Sequence, residues 1–278
     1  MRPCFNETTA MKHGDLRSDI ENCAKFGFDL MEIREDKLLA FLRRNRLEDV
    51  KELLEANRIQ PVCFNAVHEI SFRDKEGWLQ TKELCEFLFY CGREIGCHNL
   101  EVVPSADISG RSYDEISQGT AEALCLLSDI ARDYDVRCAF EFIGFPNFSV
   151  NTFKQSLEII NMVGRDNVGI LLDTFHFYGM GSDPEGILMA KGEQIFDVHI
   201  GDCPKRAPGT AKRAERCWPG TGDVPLLRIL QNLKSIGYDW AVSVEMFDPK
   251  LWELPVEESF RIGLESTSAV LTAAGVLS

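Results

Sequence analysis

The sequence predicts an α/β fold, a (β/α)₈ TIM barrel that forms a single domain over residues 1–278. Short runs of β-branched and aromatic residues alternate with longer amphipathic stretches eight times along the chain, as expected of repeated β–α units. The length of 278 residues lies in the usual range of one such barrel. No linker or low-complexity segment divides the chain. These three observations favour one barrel over two smaller domains.

The strands follow from short apolar runs, each succeeded by a helical pattern. They are expected at Arg2–Asn6, Leu30–Arg34, Gln60–Ala66, Asn99–Val103, Arg137–Ile143, Val168–Asp173, Ile195–Ile200 and Trp240–Phe247. The helical stretch after the second strand has an apolar stripe between charged residues, and Asn45 with Arg46 is expected to break it in two. Glycines at 27, 96 and 237 stand where helices end, a position that favours a left-handed residue.

One long irregular segment interrupts this regular pattern. Residues Gly201 to Asp223 contain prolines, glycines and charges of both signs, so they predict a loop between the seventh strand and the next helix. Loops of this length in compact domains are usually functional or mobile.

Charge and composition argue against several classes of partner. A net charge of −14 without a lysine- or arginine-rich run argues against binding nucleic acid. Neither a signal peptide nor an apolar run long enough to span a membrane is evident, so no membrane partner and a cytoplasmic location are expected. The ten cysteines are scattered through apolar patterns, which indicates reduced core thiols rather than a disulfide framework or a zinc site.

Four predicted strands in the second half end with a side chain able to bind a metal. These are Glu141 in CAFEFIGF, Asp173 in GILLDTFH, His199 in FDVHIGD and Glu245 in VSVEMF. In a barrel they would converge at the C-terminal rim, where enzymes of this architecture place their chemistry. Buried carboxylates need a partner, and a divalent cation would compensate three of them together. Taken singly, each residue could equally be an ion-paired or rim-exposed side chain.

Three further residues are candidates for binding a substrate. His176 follows Asp173 by three residues, and Arg216 and Trp218 lie where the long loop could fold over the metal. A guanidinium could stabilise a developing oxyanion, and an aromatic ring could contact sugar carbons. The alternatives are a strand-end histidine, a salt bridge within the loop and an ordinary turn. Four more charged residues at strand ends would line the pocket mouth or form a rim network of ion pairs: Glu7, Glu32, Arg34 and Glu101.

Several segments carry a resemblance to a known family. CFNE, MEIRE, VNTF, RDNVGILLDTFHFYGMGS, WPGTG and VSVEMF resemble the xylose isomerase-like barrel superfamily, and within it the enzymes that isomerise keto-inositols. The resemblance implies one divalent metal ion, Mn²⁺, Mg²⁺, Co²⁺ or Zn²⁺, bound by Glu141, Asp173, His199 and Glu245. It also implies a small polyhydroxy ketone as substrate, and it allows a homo-oligomer. The chain departs from the family mainly in its first half, including His68, and in the Gly201–Arg216 loop, where substrate identity would be encoded.

The function expected from this resemblance is isomerisation of a keto-inositol, 2-keto-myo-inositol (inosose), in myo-inositol catabolism. The reaction would proceed by enediolate-type proton transfer, with Glu141 and Glu245 as catalytic acid and base. An inosose dehydratase would begin with the same proton removal, and a ketohexose 3-epimerase or hydroxypyruvate isomerase would differ in substrate. Phosphodiester cleavage at abasic DNA, the activity of another branch, is disfavoured because most of its extra histidines are missing. A non-catalytic metal-binding protein is a further alternative.

Overall fold

A computed structural model describes residues 1–106 and 110–278. Eight parallel strands close into a barrel in chain order, as the sequence predicts. They are β1 (Arg2–Asn6), β2 (Leu30–Arg34), β3 (Gln60–Val67), β4 (Asn99–Val102), β5 (Arg137–Glu141), β6 (Val168–Asp173), β7 (Ile195–Ile200) and β8 (Ala241–Val244). β8 pairs with β1, from Arg2 opposite Ala241 to Phe5 opposite Val244, so the sheet has no free edge.

The helices pack around the outside of the barrel. They are α1 (Leu16–Phe26), α2 (Glu35–Leu42), α3 (Leu47–Asn57), α4 (Lys75–Ile95), α5 (Tyr113–Arg132), α6 (Phe153–Val163), α7 (Thr174–Gly179), α8 (Leu226–Ser235) and α9 (Val256–Ala273). The predicted break between α2 and α3 is confirmed. Asn45 Nδ2 donates to the Phe41 carbonyl at 2.9 Å and ends α2, while Asp49 accepts from the Arg46 N–H at 2.7 Å and begins α3.

The strand bounds agree with the predicted ones except at four C-terminal ends and at the start of β8, which begins at Ala241 instead of Trp240. β3 extends one residue further, to Val67, whereas β4, β5 and β8 are shorter than predicted. β5 ends at Glu141, and β8 ends at Val244, so Glu245 lies just beyond its strand. The apolar residues that follow β5 and β8 belong to loops, because an apolar run alone does not distinguish a strand from a buried loop.

Side-chain alternation divides the barrel interior from the outer core. The large apolar cluster lies between strands and helices, and a smaller one includes Cys4, Ala139 and Leu171. Ala139 and Ser243 stand two residues before Glu141 and Glu245, on the same face of their strands, and both are fully buried. These small side chains leave room inside the barrel beneath the two glutamates.

Two further findings bear on the predictions from composition. In the described ranges, no helix combines the length and the apolar character needed to cross a membrane. All ten cysteines are free, and eight of them are buried. The expectation of reduced core thiols is therefore met by the geometry.

Candidate metal centre at the C-terminal rim

The four predicted metal-binding side chains lie together at the C-terminal end of the barrel. Glu141 and Asp173 are the last residues of β5 and β6, and Asp173 pairs in register with His199 of β7. His199 is opposite Ser243, which places Glu245 one layer further toward the rim. All four side chains are buried. The parallel register therefore assembles one cluster from residues more than a hundred positions apart.

The distances within this cluster suit a single metal ion. One potential ligand atom of each residue lies within 4.8 Å of those of the others. His199 Nδ1 lies 3.4 Å from Glu141 Oε1, 3.5 Å from Glu245 Oε2 and 4.0 Å from Asp173 Oδ2. The imidazole nitrogen thus faces an oxygen of each carboxylate.

Two observations test whether these residues fit a divalent cation. Glu141 Oε1 and His199 Nδ1 are buried and have no hydrogen-bond partner in the described part of the chain. Buried polar atoms rarely remain unsatisfied, so an additional partner is expected between them. Three carboxylate oxygens and one imidazole nitrogen form a donor set suited to Mn²⁺, Mg²⁺, Co²⁺ or Zn²⁺. The residues fit one divalent metal.

The electrostatics of the cluster favour positive charge at its centre. Burial raises the pKa of Glu141 and of Asp173. Burial also opposes ionisation of Glu245, but the charges of His199 and Arg216 outweigh it and hold the pKa of Glu245 well below its usual range. For His199, burial is outweighed by Glu32 and Glu245, which raise its pKa. A cation here would compensate carboxylates that burial otherwise destabilises.

Glu32 of β2 orients His199 from inside the barrel. His199 Nε2 lies 3.0 Å from Glu32 Oε2, and Asn6 Nδ2 donates to the same oxygen at 3.1 Å. Donation of the Nε2 proton to this carboxylate leaves the Nδ1 lone pair directed at the cluster, the arrangement commonly found behind metal-binding histidines. Glu32 and Glu101 are buried inside the barrel, not at its mouth, which corrects the expectation that they line the rim. The two-residue periodicity of a strand predicts whether a side chain points into the barrel. It does not predict how far below the rim that side chain lies.

Arg216 lies within the cluster and neutralises part of its charge. Its Nη1 donates to Asp173 Oδ2 at 2.6 Å, and its Nη2 lies 3.2 Å from Glu245 Oε2. The guanidinium is buried and stacks over the Phe175 ring at 4.7 Å from its centroid. Arg216 of the long loop therefore pairs with two carboxylates of the cluster. A contact of Arg216 with substrate stays a prediction.

His176 is held beside Arg216 by the short helix α7. The Asp173 side chain caps this helix, accepting from the His176 N–H at 2.7 Å. Burial, with the charge of Arg216, lowers the pKa of His176 well below its usual range. Its Nε2 lies 3.3 Å from Arg216 Nη2, and its Nδ1 has no partner in residues 1–106 and 110–278. A neutral imidazole that accepts from Arg216 at Nε2 would carry a free N–H at Nδ1.

Trp218 follows Arg216 by two residues and begins the next turn of the loop. Its half-buried ring packs on the main apolar core beside Gly263 of α9. Its carbonyl accepts from Thr221 in the turn that follows. A contact of Trp218 with substrate stays a prediction.

Two residues that the sequence did not indicate also shape the site. Asn65 Nδ2 lies 3.3 Å from Glu245 Oε1 and donates to it. Asp202 accepts from the N–H groups of Gly220 at 3.0 Å, Gly222 at 2.9 Å and Val224 at 2.9 Å, and thereby folds the WPGTG turn back onto the barrel. The acidic residue two positions after the end of β7 was a usable signal for this turn, whereas Asn65 had none because its partner lies 180 residues away.

Barrel and cluster together define a TIM-barrel protein whose C-terminal rim carries three carboxylates and a histidine that could hold a metal ion. Residues 20–269 match the family described as xylose isomerase-like TIM barrel. The chain belongs to this family.

Individual relatives are similar to this chain along nearly its full length. An inosose isomerase of Bacillus velezensis is 38% identical over 98% of each chain, and one of Bacillus subtilis is 37% identical over 98% of each chain. A crystal structure of an IolI protein with a bound zinc atom superposes with a TM-score of 0.95 at 37% identity, covering 99% of each chain.

Proposed function

We propose that this protein is a metal-dependent isomerase that acts on a keto-inositol, 2-keto-myo-inositol, in myo-inositol catabolism. The observation that carries the proposal is the placement of two glutamates, Glu141 and Glu245, in one cluster with Asp173 and His199. The inosose isomerases that match the chain over 98% of its length support the substrate. The ten free cysteines support a reducing, cytoplasmic location. Assembly into a homo-oligomer remains part of the proposal.

Glu141, Asp173, His199 and Glu245 would hold the metal, and two of them would also move the proton. A bound divalent ion polarises ketone and hydroxyl oxygens as a Lewis acid. Glu141 and Glu245 extend from strands separated by β6 and β7, so they can face two sides of a substrate. One takes the proton from the carbon that bears the hydroxyl beside the ketone, leaving an enediolate. A proton then returns to the former carbonyl carbon.

The atoms and electrons of this isomerisation balance without a redox cofactor. The hydroxyl oxygen of the deprotonated carbon becomes the new carbonyl and loses its proton, and the former carbonyl oxygen becomes a hydroxyl. The C=O group therefore moves one position around the ring. Arg216 would stabilise negative charge on the enediolate, and the Nδ1–H of His176 would donate to a substrate oxygen. Trp218 would contact the ring carbons of the substrate.

The test is incubation of the metal-loaded protein with 2-keto-myo-inositol in D₂O, followed by NMR and mass spectrometry. We expect an isomeric ketone that carries deuterium at the former carbonyl carbon and has lost no water. Protein treated with a chelator, and the Glu245→Gln variant with its metal content measured, serve as controls and should show no turnover.

Other products would assign the protein differently. Loss of water would identify a dehydratase, which shares the first proton removal. Turnover only of ketohexoses or hydroxypyruvate would identify an epimerase or isomerase of smaller or linear substrates. Exchange without metal, or full activity of Glu245→Gln, would contradict the proposed site.

A further inference from the structure

Arg213, in the loop between β7 and α8, lies across the mouth of the barrel. Its guanidinium carbon is 4.5 Å from the centroid of the Phe247 ring and 5.8 Å from that of Phe145. Phe247 follows Glu245 by two residues, and the Phe145 ring contacts that of His176, with centroids 5.2 Å apart. Arg213 therefore bridges loops that follow two different metal-binding strands, above the cluster.

The guanidinium has no acidic partner in the described ranges. The glutamate two residues away, Glu215, is engaged by Arg206, whose Nε lies 3.1 Å from both carboxylate oxygens and whose Nη2 lies 2.6 Å from Oε1. This pairing lowers the pKa of Glu215 to about 2. Arg213 is half-buried, so aromatic rings hold its plane while its N–H donors stay available.

A guanidinium held in this way can donate to the hydroxyl groups of a ligand, because each hydroxyl oxygen accepts through two lone pairs. A ring that carries hydroxyl groups on several carbons can therefore reach Arg213 while its ketone lies at the cluster.

We infer that Arg213 forms a subsite for the hydroxyl groups of a cyclic polyol, on the side of the substrate remote from the metal. This inference rests on the proposed function and deepens it, since Arg213 would distinguish a polyhydroxylated ring from a short hydroxyketone. Arg213 lies in the Gly201–Arg216 loop, where the sequence departs from the family, so the subsite lies where substrate choice is expected to be encoded.

The test compares two neutral ligands and two variants of the full-length, metal-loaded protein. Arg213→Met keeps an unbranched stem against both rings but removes the donors. Lys205→Met removes an exposed positive charge from the same loop and is the matched control. Calorimetry would measure the Kd of 2-keto-myo-inositol and of dihydroxyacetone, which has no ring hydroxyls to reach the subsite. Turnover is followed in parallel.

We expect Arg213→Met to raise the Kd of 2-keto-myo-inositol about tenfold to a hundredfold, the usual effect of a hydrogen bond to a charged group. The Kd of dihydroxyacetone should stay within about twofold, and Lys205→Met should change neither. Equal weakening of both ligands would show a purely structural role and overturn the inference, as would no change, or no binding of the polyol to the wild-type protein. Selective weakening without turnover would instead reject the isomerase and keep the subsite.

Discussion

At the scale of single residues, the site depends on what stands behind each metal-binding group. His199 can direct Nδ1 at the cluster because Nε2 is occupied by Glu32, and Glu32 is held by Asn6. Asp173 combines three tasks, since it caps α7, pairs with Arg216 and faces the cluster. A substitution behind the cluster should therefore weaken metal binding without touching a ligand atom.

Replacing Glu32 with glutamine tests this directly. A glutamine amide can donate to Nε2, which would move the imidazole proton to Nδ1 and block the metal. We expect the Kd of Zn²⁺ or Mn²⁺, measured by competition with a chromophoric chelator, to rise about 10- to 100-fold. ¹⁵N NMR of His199 should show the change of tautomer.

Glu101→Gln is the matched control for this substitution. It removes another buried carboxylate of the barrel, one without a hydrogen bond to His199 in the described structure. An equal loss of affinity in both variants would attribute the effect to barrel charge rather than to orientation of the histidine.

At the scale of elements, the short helix α7 is positioned by backbone packing against the loop after β5. A Cβ added at Gly144 would lie 2.1 Å from the His176 carbonyl oxygen, and one added at Gly179 would lie 2.6 Å from the Gly144 carbonyl oxygen. Only glycine allows this approach of two backbones. This backbone contact sets the position of His176 relative to the barrel, and through His176 it also sets the position of Arg216.

We expect Gly144→Ala to displace α7, lower the free energy of unfolding by about 1–3 kcal/mol and reduce kcat/KM. Urea denaturation and turnover of the keto-inositol measure both effects. Gly186→Ala is the control, because a Cβ at Gly186 meets no atom within 4 Å. Unchanged activity in Gly144→Ala would show that the position of α7 is not critical to the site.

At the scale of the whole molecule, the barrel buries more carboxyl groups than basic side chains. Six carboxyl groups are buried in or just above it: Glu32, Glu101, Glu141, Asp173, Asp197 and Glu245. The buried basic side chains that contact these carboxyl groups in the described ranges are Arg216 and His199. A divalent ion would compensate two charges and connect β5, β6, β7 and the end of β8.

Removal of the metal should therefore destabilise the entire barrel. At a metal concentration of about 100 times Kd, binding contributes about 2.7 kcal/mol, so a chelator should lower the Tm by about 5–10 °C in a chain of this size. Scanning calorimetry with and without EDTA measures the difference. The shift should shrink in Glu141→Gln, and identical melting of both wild-type samples would argue against a structural contribution of the metal.

Much of the site was predictable because its signal is local. Glu141, Asp173 and Glu245 are acidic residues in apolar, strand-like contexts, and the order of strands in a barrel brings their ends to one rim. Arg216 illustrates the limit. The sequence predicted that Arg216 lies in a loop. The pairing of Arg216 with Asp173, however, depends on how Asp202 folds the turn that follows. Arg213 was not singled out at all, because only the tertiary structure shows that Glu215 is engaged elsewhere.

The sequence by itself determined the barrel, the order of its strands and the four residues that meet at the rim. Periodicity and composition report these features because they depend on the burial of each segment and on the parallel alignment of neighbouring strands. Only the tertiary structure decided the partners: Glu32 beneath His199, Arg216 between two carboxylates and Trp218 on the core. These contacts join strands and loops that are distant along the chain. Closure of the barrel and side-chain packing set them, and neither leaves a local pattern in the sequence.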